Sequence, residues 1–340
     1  MPNLPDEIIF DILSRLPVVS LCRFRCVSKP WRSLISHPHF IRTQIANNKH
    51  ERVILRRDDN LYSVDLESSQ FGDKSVQAIL KIPTEYLGFD VYGSCDGLLL
   101  IGDYLGVHYY LANPSTREFR KLPPSPFKLH SWNFLNFYGF GYDSRSHDFK
   151  VVSISRYSRD SADCVVSLYA LRTNSWKKIE YSPCGHSVMG DNSGVLVSGA
   201  LHWFARTSMS TVILAVDLAV EKIRTIPTLD CTGFDLFVHG GCLWVKAKFY
   251  DSSRADFWVM KEYGVGESWT KFTVTYDRFH NWRPLSSLSA DRVLFRVNNK
   301  KLVLYDPQEE KSKELVVHGL PIDFVGGTYV ESLVSPNGQC

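Results

Sequence analysis

The chain has 340 residues, 22% of them charged, and a formal net charge of +3 at pH 7. This surplus is too small to predict nucleic-acid binding, which needs a concentrated basic surface. No apolar run approaches the roughly twenty residues of a membrane-spanning helix. Acidic residues at positions 6 and 7 argue against a secretion signal, and the eight cysteines lack paired spacing. We therefore expect reduced thiols and a location in the cytoplasm and nucleus.

The N-terminal residues contain three short helical patterns separated by prolines. Pro5 suits the first turn of a helix, and apolar residues recur at helical spacing up to Leu16, before Pro17. Two further patterns follow, and Pro38 ends the last of them. Three such helices bury too little surface to fold alone, so we expect another protein to cover their apolar side. A helical cap packed on the rest of the chain is the alternative.

The order of residues in this helical segment resembles the F-box of plant F-box proteins. The matching runs are Leu4-Pro5, Ile12 to Pro17, Leu21 to Trp31 and Leu34 to Phe40. The resemblance implies binding to a Skp-type adaptor of a cullin-RING ubiquitin ligase. The docking residues carried over by position are Leu4, Pro5, Ile8, Leu16, Pro17, Leu21 and Trp31. Some of these must instead hold the helices together. We assign residues 1–45 to this unit and expect them to be nearly sufficient for adaptor binding.

The rest of the chain alternates short β-type runs with turn residues. A repeated unit has equivalent turns at positions 65, 113, 172, 217, 261 and 306, which are 48, 59, 45, 44 and 45 residues apart. Periods of roughly forty to fifty residues are typical of propeller blades. We therefore predict a mainly-β chain in which a three-helix unit precedes a β-propeller of about six blades over residues 53–334. The final strand, near Phe324 to Val334, is a candidate for ring closure. A pair of β-sandwiches is the alternative fold.

Each repeat contains two apolar segments in a fixed order. The earlier one, as in Gly199-Ala200-Leu201-His202-Trp203, fits an inner strand because small residues precede large apolar ones. The later one fits an outer hairpin. We interpret the glycines of Gly139-Phe140-Gly141-Tyr142 as turn residues, since they match neither a dinucleotide-binding nor a P-loop pattern.

Several motifs in this part resemble the plant F-box-associated interaction domain, which implies substrate recognition. They are Gly93-Ser94-Cys95-Asp96-Gly97-Leu98-Leu99, Asn113-Pro114-Ser115-Thr116-Arg117, Phe140-Gly141-Tyr142-Asp143, Asp148-Phe149-Lys150-Val151-Val152, Gly199-Ala200-Leu201-His202-Trp203 and Tyr329-Val330-Glu331-Ser332-Leu333. The ending Tyr329 to Pro336 is also similar to immunity-related F-box proteins that target intracellular immune receptors.

The sequence contains no recognisable catalytic or metal-binding constellation. His147-Asp148 fits a polar hairpin, and His202 fits a buried hydrogen-bonding residue better than a catalytic base. No two of the eleven histidines share a metal-ligand spacing, so we predict neither a metal nor a cofactor.

Aromatic residues in two segments between the repeats are the candidate substrate contacts. One segment lies in the longest repeat and the other precedes residue 292. Inserted loops of propellers often form the binding face, and Trp and Arg often dominate interfaces. The candidates are Trp132, Phe134, His280, Trp282 and Arg283. Their alternative role is packing within the blades.

We interpret the chain as the substrate-recognition subunit of a Skp-cullin-F-box (SCF) ubiquitin ligase. It would perform no bond chemistry and would bring a protein target close to the ubiquitin-carrying enzyme. Its partners would be the adaptor, through it the cullin-RING ligase, and an unidentified protein substrate. The alternative is a propeller enzyme or sugar-binding propeller with an N-terminal helical cap.

Overall fold

A computed structural model describes most of the chain. The described residues are 4–48, 51–57, 60–65, 77–82, 88–103, 108–127, 135–156, 164–179, 187–189, 193–207, 210–228, 234–248, 254–275, 282–289, 292–317, 319–320 and 324–337. The chain divides into two compact units, Met1–Leu122 with Thr328–Cys340, and Pro123–Gly327.

The N-terminal unit begins with four short helices: α1 (Asp6–Ser14), α2 (Val18–Phe24), α3 (Lys29–Ile35) and α4 (Pro38–Asn47). Pro5 and Pro17 directly precede α1 and α2, and the Ser28 hydroxyl caps α3 by accepting the Trp31 N–H. The prediction of three helices was one short. Pro38 does end α3, but it is also the first residue of α4, a position where its missing N–H costs no helical hydrogen bond.

Among the described residues, eight strands belong to this unit, the last of them from Thr328 onward. They are β1 (Glu51–Arg57), β2 (Asn60–Val64), β3 (Gln77–Lys81), β4 (Phe89–Cys95), β5 (Leu98–Asp103), β6 (Tyr109–Asn113), β7 (Glu118–Lys121) and β25 (Val325–Val330). One sheet has the order β25-β1-β2-β3 and the other has the order β4-β5-β6-β7. The first and last strands of the chain thus share a sheet, as expected for the final strand.

In the described part of the second unit lie the remaining strands and a short 3-10 helix, Gly266–Ser268. The strands are β8 (Leu135–Asp143), β9 (Asp148–Arg156), β10 (Cys164–Ala170), β11 (Ser175–Ile179), β12 (Ser187–Met189), β13 (Val195–Val197), β14 (Ala200–Arg206), β15 (Thr211–Asp217), β16 (Ile223–Pro227), β17 (Phe234–His239), β18 (Cys242–Lys248), β19 (Arg254–Met260), β20 (Trp269–Thr275), β21 (Trp282–Ser289), β22 (Arg292–Val297), β23 (Lys301–Asp306) and β24 (Lys311–Leu315). They form four antiparallel sheets among the described residues, each continuous in chain order apart from β13, which pairs with β14 beside β12.

The six sheets confirm the predicted repeat and a β-propeller fold of six blades. Every equivalent turn position lies at or just after the end of a sheet's third strand, from β2 to β23. The later apolar segment forms the third and fourth strands, so the predicted hairpin is correct. The earlier segment forms the second strand. Each sheet also contains a first strand, which pairs with the second strand on the side away from the third. The sequence pattern gave no separate signal for this first strand.

Gly139 and Gly141 are not turn residues. Both lie inside β8, where a β-carbon on Gly139 would fall 2.7 Å from Trp203 and one on Gly141 would fall 2.7 Å from Leu196. Glycine is required here because neighbouring side chains occupy the space of a Cβ. Among the described residues, no helix is long and apolar enough to cross a membrane.

Candidate functional site

The helical segment exposes large apolar side chains on α1 and α2 and beside them. The exposed fraction is 58% for Leu4, 47% for Ile8, 48% for Ile12, 48% for Val19 and 64% for Val27. Ile8 and Ile12 are four residues apart on α1 and therefore lie on one side of that helix. Clustered apolar exposure on so small a helical unit is typical of a protein-docking surface.

The structure separates the sequence-predicted docking residues into three groups. Leu4, Pro5, Ile8 and Pro17 are exposed, whereas Leu16 and Trp31 are half-buried. Leu21 is 0% exposed and packs inside the helices with Leu13 and Val18, so its assignment as a contact residue was wrong. Its spacing suits the helix interior and the docking surface equally well, and the sequence alone did not distinguish them.

Other exposed residues of the helical segment were missed as docking candidates. Ile12, Val19 and Val27 are as exposed as Ile8 or more so. Ile12 could have been found from its position four residues after Ile8. Val19 and Val27 carry no comparable signal, because their exposure depends on how α2 and α3 pack.

The surface of α2 and α3 is basic. Residues 18–36 include Arg23, Arg25, Lys29 and Arg32 and no acidic residue, so this stretch has a formal charge of +4. A shallow, open depression on this surface is lined by Cys22, Arg25, Cys26, Ser28, Lys29 and Arg32. Such a surface complements an acidic partner.

The predicted substrate contacts are only partly described. Trp132, Phe134 and His280 lie outside the described residues, and their role stays a prediction. Trp282 does not lie in a loop: it is the first residue of β21 and its ring meets Phe295 edge-on at 5.3 Å. It packs against the core cluster that includes Phe257, and Lys246 donates to its carbonyl. Arg283 follows it in the strand and is half-buried.

Two networks of buried titratable groups lie in the second unit. Lys150 donates to Asp143 at 2.7 Å, to the Leu218 carbonyl at 2.6 Å and to Glu221 at 3.0 Å. Burial alone would raise the pKa of Asp143, but hydrogen bonds from Lys150 and Ser146 hold that pKa below its ordinary value. Each charge faces an opposite charge, which suits a structural ion-pair network.

His202 is the centre of the second network. Its Nε2 accepts the Tyr263 hydroxyl at 2.8 Å, and its Nδ1 lies 3.1 Å from the Val195 carbonyl, to which it donates. Arg224 donates to the same hydroxyl at 2.9 Å. Burial lowers the pKa of His202 to about 4, so the ring is neutral at pH 7. In the part of the chain that the structure describes, no group of three or more His, Cys, Asp or Glu could hold a metal ion.

Family models match almost the whole chain. The F-box domain matches residues 1–43, and the F-box associated beta propeller domain matches residues 52–335. F-box protein CPR1 of Arabidopsis thaliana is 34% identical over 98% of this chain and 89% of its own length. The F-box/kelch-repeat protein At3g23880 of Arabidopsis thaliana is 30% identical over 98% of this chain and 96% of its own length.

Solved structures with little sequence identity share the fold. TolB from Acinetobacter baumannii has a TM-score of 0.53 at 10% identity, covering 89% of this chain and 73% of that chain. A chain of the nidogen/laminin complex has a TM-score of 0.52 at 9% identity, covering 83% of this chain and 98% of that chain. The helical unit, the six sheets and these matches lead to one conclusion: the chain belongs to the plant F-box proteins that carry an F-box associated beta propeller domain.

Proposed function

We propose that this protein is the substrate-recognition subunit of a Skp-cullin-F-box ubiquitin ligase. The observation that carries the proposal is the exposed apolar surface of the F-box helices, with Leu4, Ile8 and Ile12 about half exposed. Exposed apolar surface is unfavourable in water. The free energy therefore falls when a partner protein covers such a surface.

The partner chemistry follows from the two sides of the helical unit. Apolar side chains of α1 would supply the buried contacts of the complex, and burial of a large aliphatic side chain stabilises by roughly 1.5–3 kcal/mol. The basic surface of α2 and α3 would face acidic groups of the adaptor and increase the association rate. We therefore propose a Skp-type adaptor whose F-box-binding surface combines an apolar groove with acidic side chains.

The protein itself would carry out no bond chemistry. It would hold a target protein near the ubiquitin-carrying enzyme of the ligase and so raise the effective concentration of the target lysines. The propeller would bind the target, with Trp132, Phe134, His280 and Arg283 as predicted contacts. The expected location is the cytoplasm and nucleus.

Adaptor binding by the full-length chain tests the proposal. A purified Skp-type adaptor should bind the wild-type chain, and Ile8→Asp and Ile12→Asp should each weaken binding at least about tenfold, because a charge would enter an apolar contact. Val316→Asp is the matched control, since Val316 is aliphatic and 72% exposed in the second unit.

The melting temperatures of all three variants should stay close to wild type, because these residues are exposed. Undiminished adaptor binding by both α1 variants would refute the docking assignment. For the target, affinity purification with the proteasome blocked should recover ubiquitin-modified protein with the wild-type chain and none with Ile8→Asp. Blocking cullin activation as well should leave the target bound to the wild-type chain but unmodified.

A further inference from the structure

Three motifs that are far apart in the sequence meet beside the F-box helices. They are the Asp96-Gly97 turn between β4 and β5, Asn113 at the end of β6, and the segment Glu331–Val334 that follows β25. The family resemblance rests partly on these same motifs, yet adaptor and substrate binding give them no role. Their mutual contacts identify what they do.

Asn113 fixes the C-terminal segment through its side-chain amide. The residue is 0% exposed, and its Nδ2 donates to the carbonyls of Ser332 at 3.0 Å and Val334 at 2.7 Å. Its Oδ1 meanwhile accepts the Ser115 N–H at 2.8 Å and so forms the turn before β7. One side chain thus bonds to its own turn and to the other end of the chain.

The equivalent positions of two other repeats show why an amide is needed here. Asp217 and Asp306 form the same turn, and their Oδ1 atoms accept the N–H of the second residue on at 2.9 and 3.0 Å. A carboxylate suffices there because the turn requires only an acceptor. At position 113 the two carbonyls of the C-terminal segment require a donor as well, which aspartate lacks.

Gly97 allows the C-terminal segment to approach the turn between β4 and β5 closely. Its φ is +86°, a backbone conformation that favours glycine, and a β-carbon there would lie 2.1 Å from Ser332 Oγ. Ser332 Oγ donates to the Asp96 carbonyl at 2.7 Å. Arg42 of α4 in turn donates to the Asp96 carboxylate at 2.7 Å.

The segment itself enters the F-box. Leu333 is 0% exposed and belongs to the same core cluster as Leu13 and Leu21. Around it, Arg25 contacts the Leu333 carbonyl at 3.5 Å and Asn48 donates to the Glu331 carbonyl at 3.0 Å. The last apolar side chain of the F-box core therefore comes from the opposite end of the sequence.

The buried side chain of Leu333 matters because the four-helix segment is small. The four helices have 9, 7, 7 and 10 residues, and units of this size rarely fold on one core alone. Leu333 is one of six buried residues in this core cluster, and its loss would leave a cavity there. Residues 1–45 alone lack this side chain, which argues against the expectation that they are nearly sufficient for docking.

We infer that the C-terminal segment Glu331–Val334 is an obligatory part of the adaptor-docking unit, with Leu333 and Asn113 as positioning residues for the F-box helices. That the segment is needed for adaptor docking rests on the proposed function. That the helices keep their packing only while the segment lies against them does not.

Hydrogen exchange of the full-length chain, without any partner, tests whether the segment maintains the packing of the helices. In Leu333→Ala and Asn113→Asp, the amides of α1 to α4 should exchange about tenfold faster or more, while the sheets of the second unit keep their wild-type protection. Asn113→Asp keeps the turn acceptor and the apolar core, so it tests the link even where Leu333→Ala fails to fold. There are two matched controls. Leu302→Ala removes an equally buried leucine from the second unit, and Asp217→Asn swaps a carboxylate for a carboxamide side chain at an equivalent turn.

Adaptor binding tests whether the segment is also needed for docking. Leu333→Ala should lose affinity together with helix protection, whereas Ile8→Asp should lose affinity with protection unchanged. Saturating adaptor should restore protection in Leu333→Ala, because a ligand of the folded helices stabilises them. Wild-type exchange rates for α1 to α4 in both variants would overturn the inference. A wild-type chain that fails to bind adaptor would refute only the proposed function, since the exchange result stands on its own.

Discussion

Trp203 occupies the space in which a side chain at position 139 would lie. A β-carbon on Gly139 of β8 falls 2.7 Å from Cζ2 of the Trp203 indole, which is only 1% exposed in β14. Leu201 lies 3.0 Å from the same point. The two strands belong to different sheets of the second unit, so this contact is part of the packing between neighbouring blades.

Gly139→Ala should lower the free energy of unfolding by about 1–3 kcal/mol, because a methyl group must displace an indole that has no free space. Denaturant unfolding followed by tryptophan fluorescence measures the change. Gly327→Ala is the control, since nothing lies within 4 Å of a β-carbon there. Equal midpoints for the two variants would contradict the proposed close packing.

Trp282→Ala should destabilise the chain by about 2 kcal/mol, because the indole packs on Phe295 and is partly buried. A thermal melt compared with Val316→Ala, a change at a 72% exposed position, measures the effect. This outcome differs from that of a surface contact residue, whose removal leaves the melting temperature unchanged. An unchanged melting temperature with accumulation of target protein would instead support Trp282 as the predicted substrate contact.

The stability of the chain should carry a signature of His202 between pH 6.5 and 4. Burial lowers the pKa of this ring to about 4 in the folded state, against 6.5 in the unfolded chain. As the pH falls through this window the unfolded state binds a proton that the folded state does not, so stability falls, by about 3 kcal/mol in total.

His202→Gln should remove this loss, so the measurement is the difference between the two unfolding curves against pH. The comparison is needed because Glu51 acts in the opposite sense. Burial raises the pKa of Glu51 to about 7, so its cost to stability is full above pH 7 and disappears as the pH falls. Parallel curves for wild type and variant would show that His202 titrates normally.

Lys150→Met should cost about 3–5 kcal/mol of stability, because it leaves Asp143 buried without its opposite charge. Lys150 and Asp143 are 4% and 3% exposed. The control is Lys301→Met: its pair with Glu314 at 2.8 Å is half exposed on both sides and should contribute little. Chemical denaturation of both variants provides the test, and similar small effects would mean that the buried network is not stabilising.

The repeat was predictable because turns require particular residues. Asn113, Asp217 and Asp306 each accept backbone N–H groups in the turn after a third strand, and side chains that can do so are few. The final strand also followed from the repeat count. These features depend on local chemistry, which a sequence shows directly.

The missed features depend on contacts between distant residues. Gly139 reads as a turn glycine until Trp203 is placed next to it. β21 was not predicted because Pro284 and serines interrupt it, and its pairing with β22 shifts register at Pro284. The separation of docking residues from core residues in the F-box likewise needed the helix packing. Leu21 and Ile8 have similar side chains and similar helical spacing, but only Ile8 is exposed.

The position of Leu333 has a consequence for biosynthesis. A ribosome makes the F-box helices before Leu333, which belongs to the same core but is added only after the intervening strands. If Leu333 is needed for their packing, the helices are complete in sequence long before they reach their final stability, and a stop codon between them and Leu333 would weaken them. We expect chains that end before Leu333 to lack a stable docking surface for the proposed adaptor.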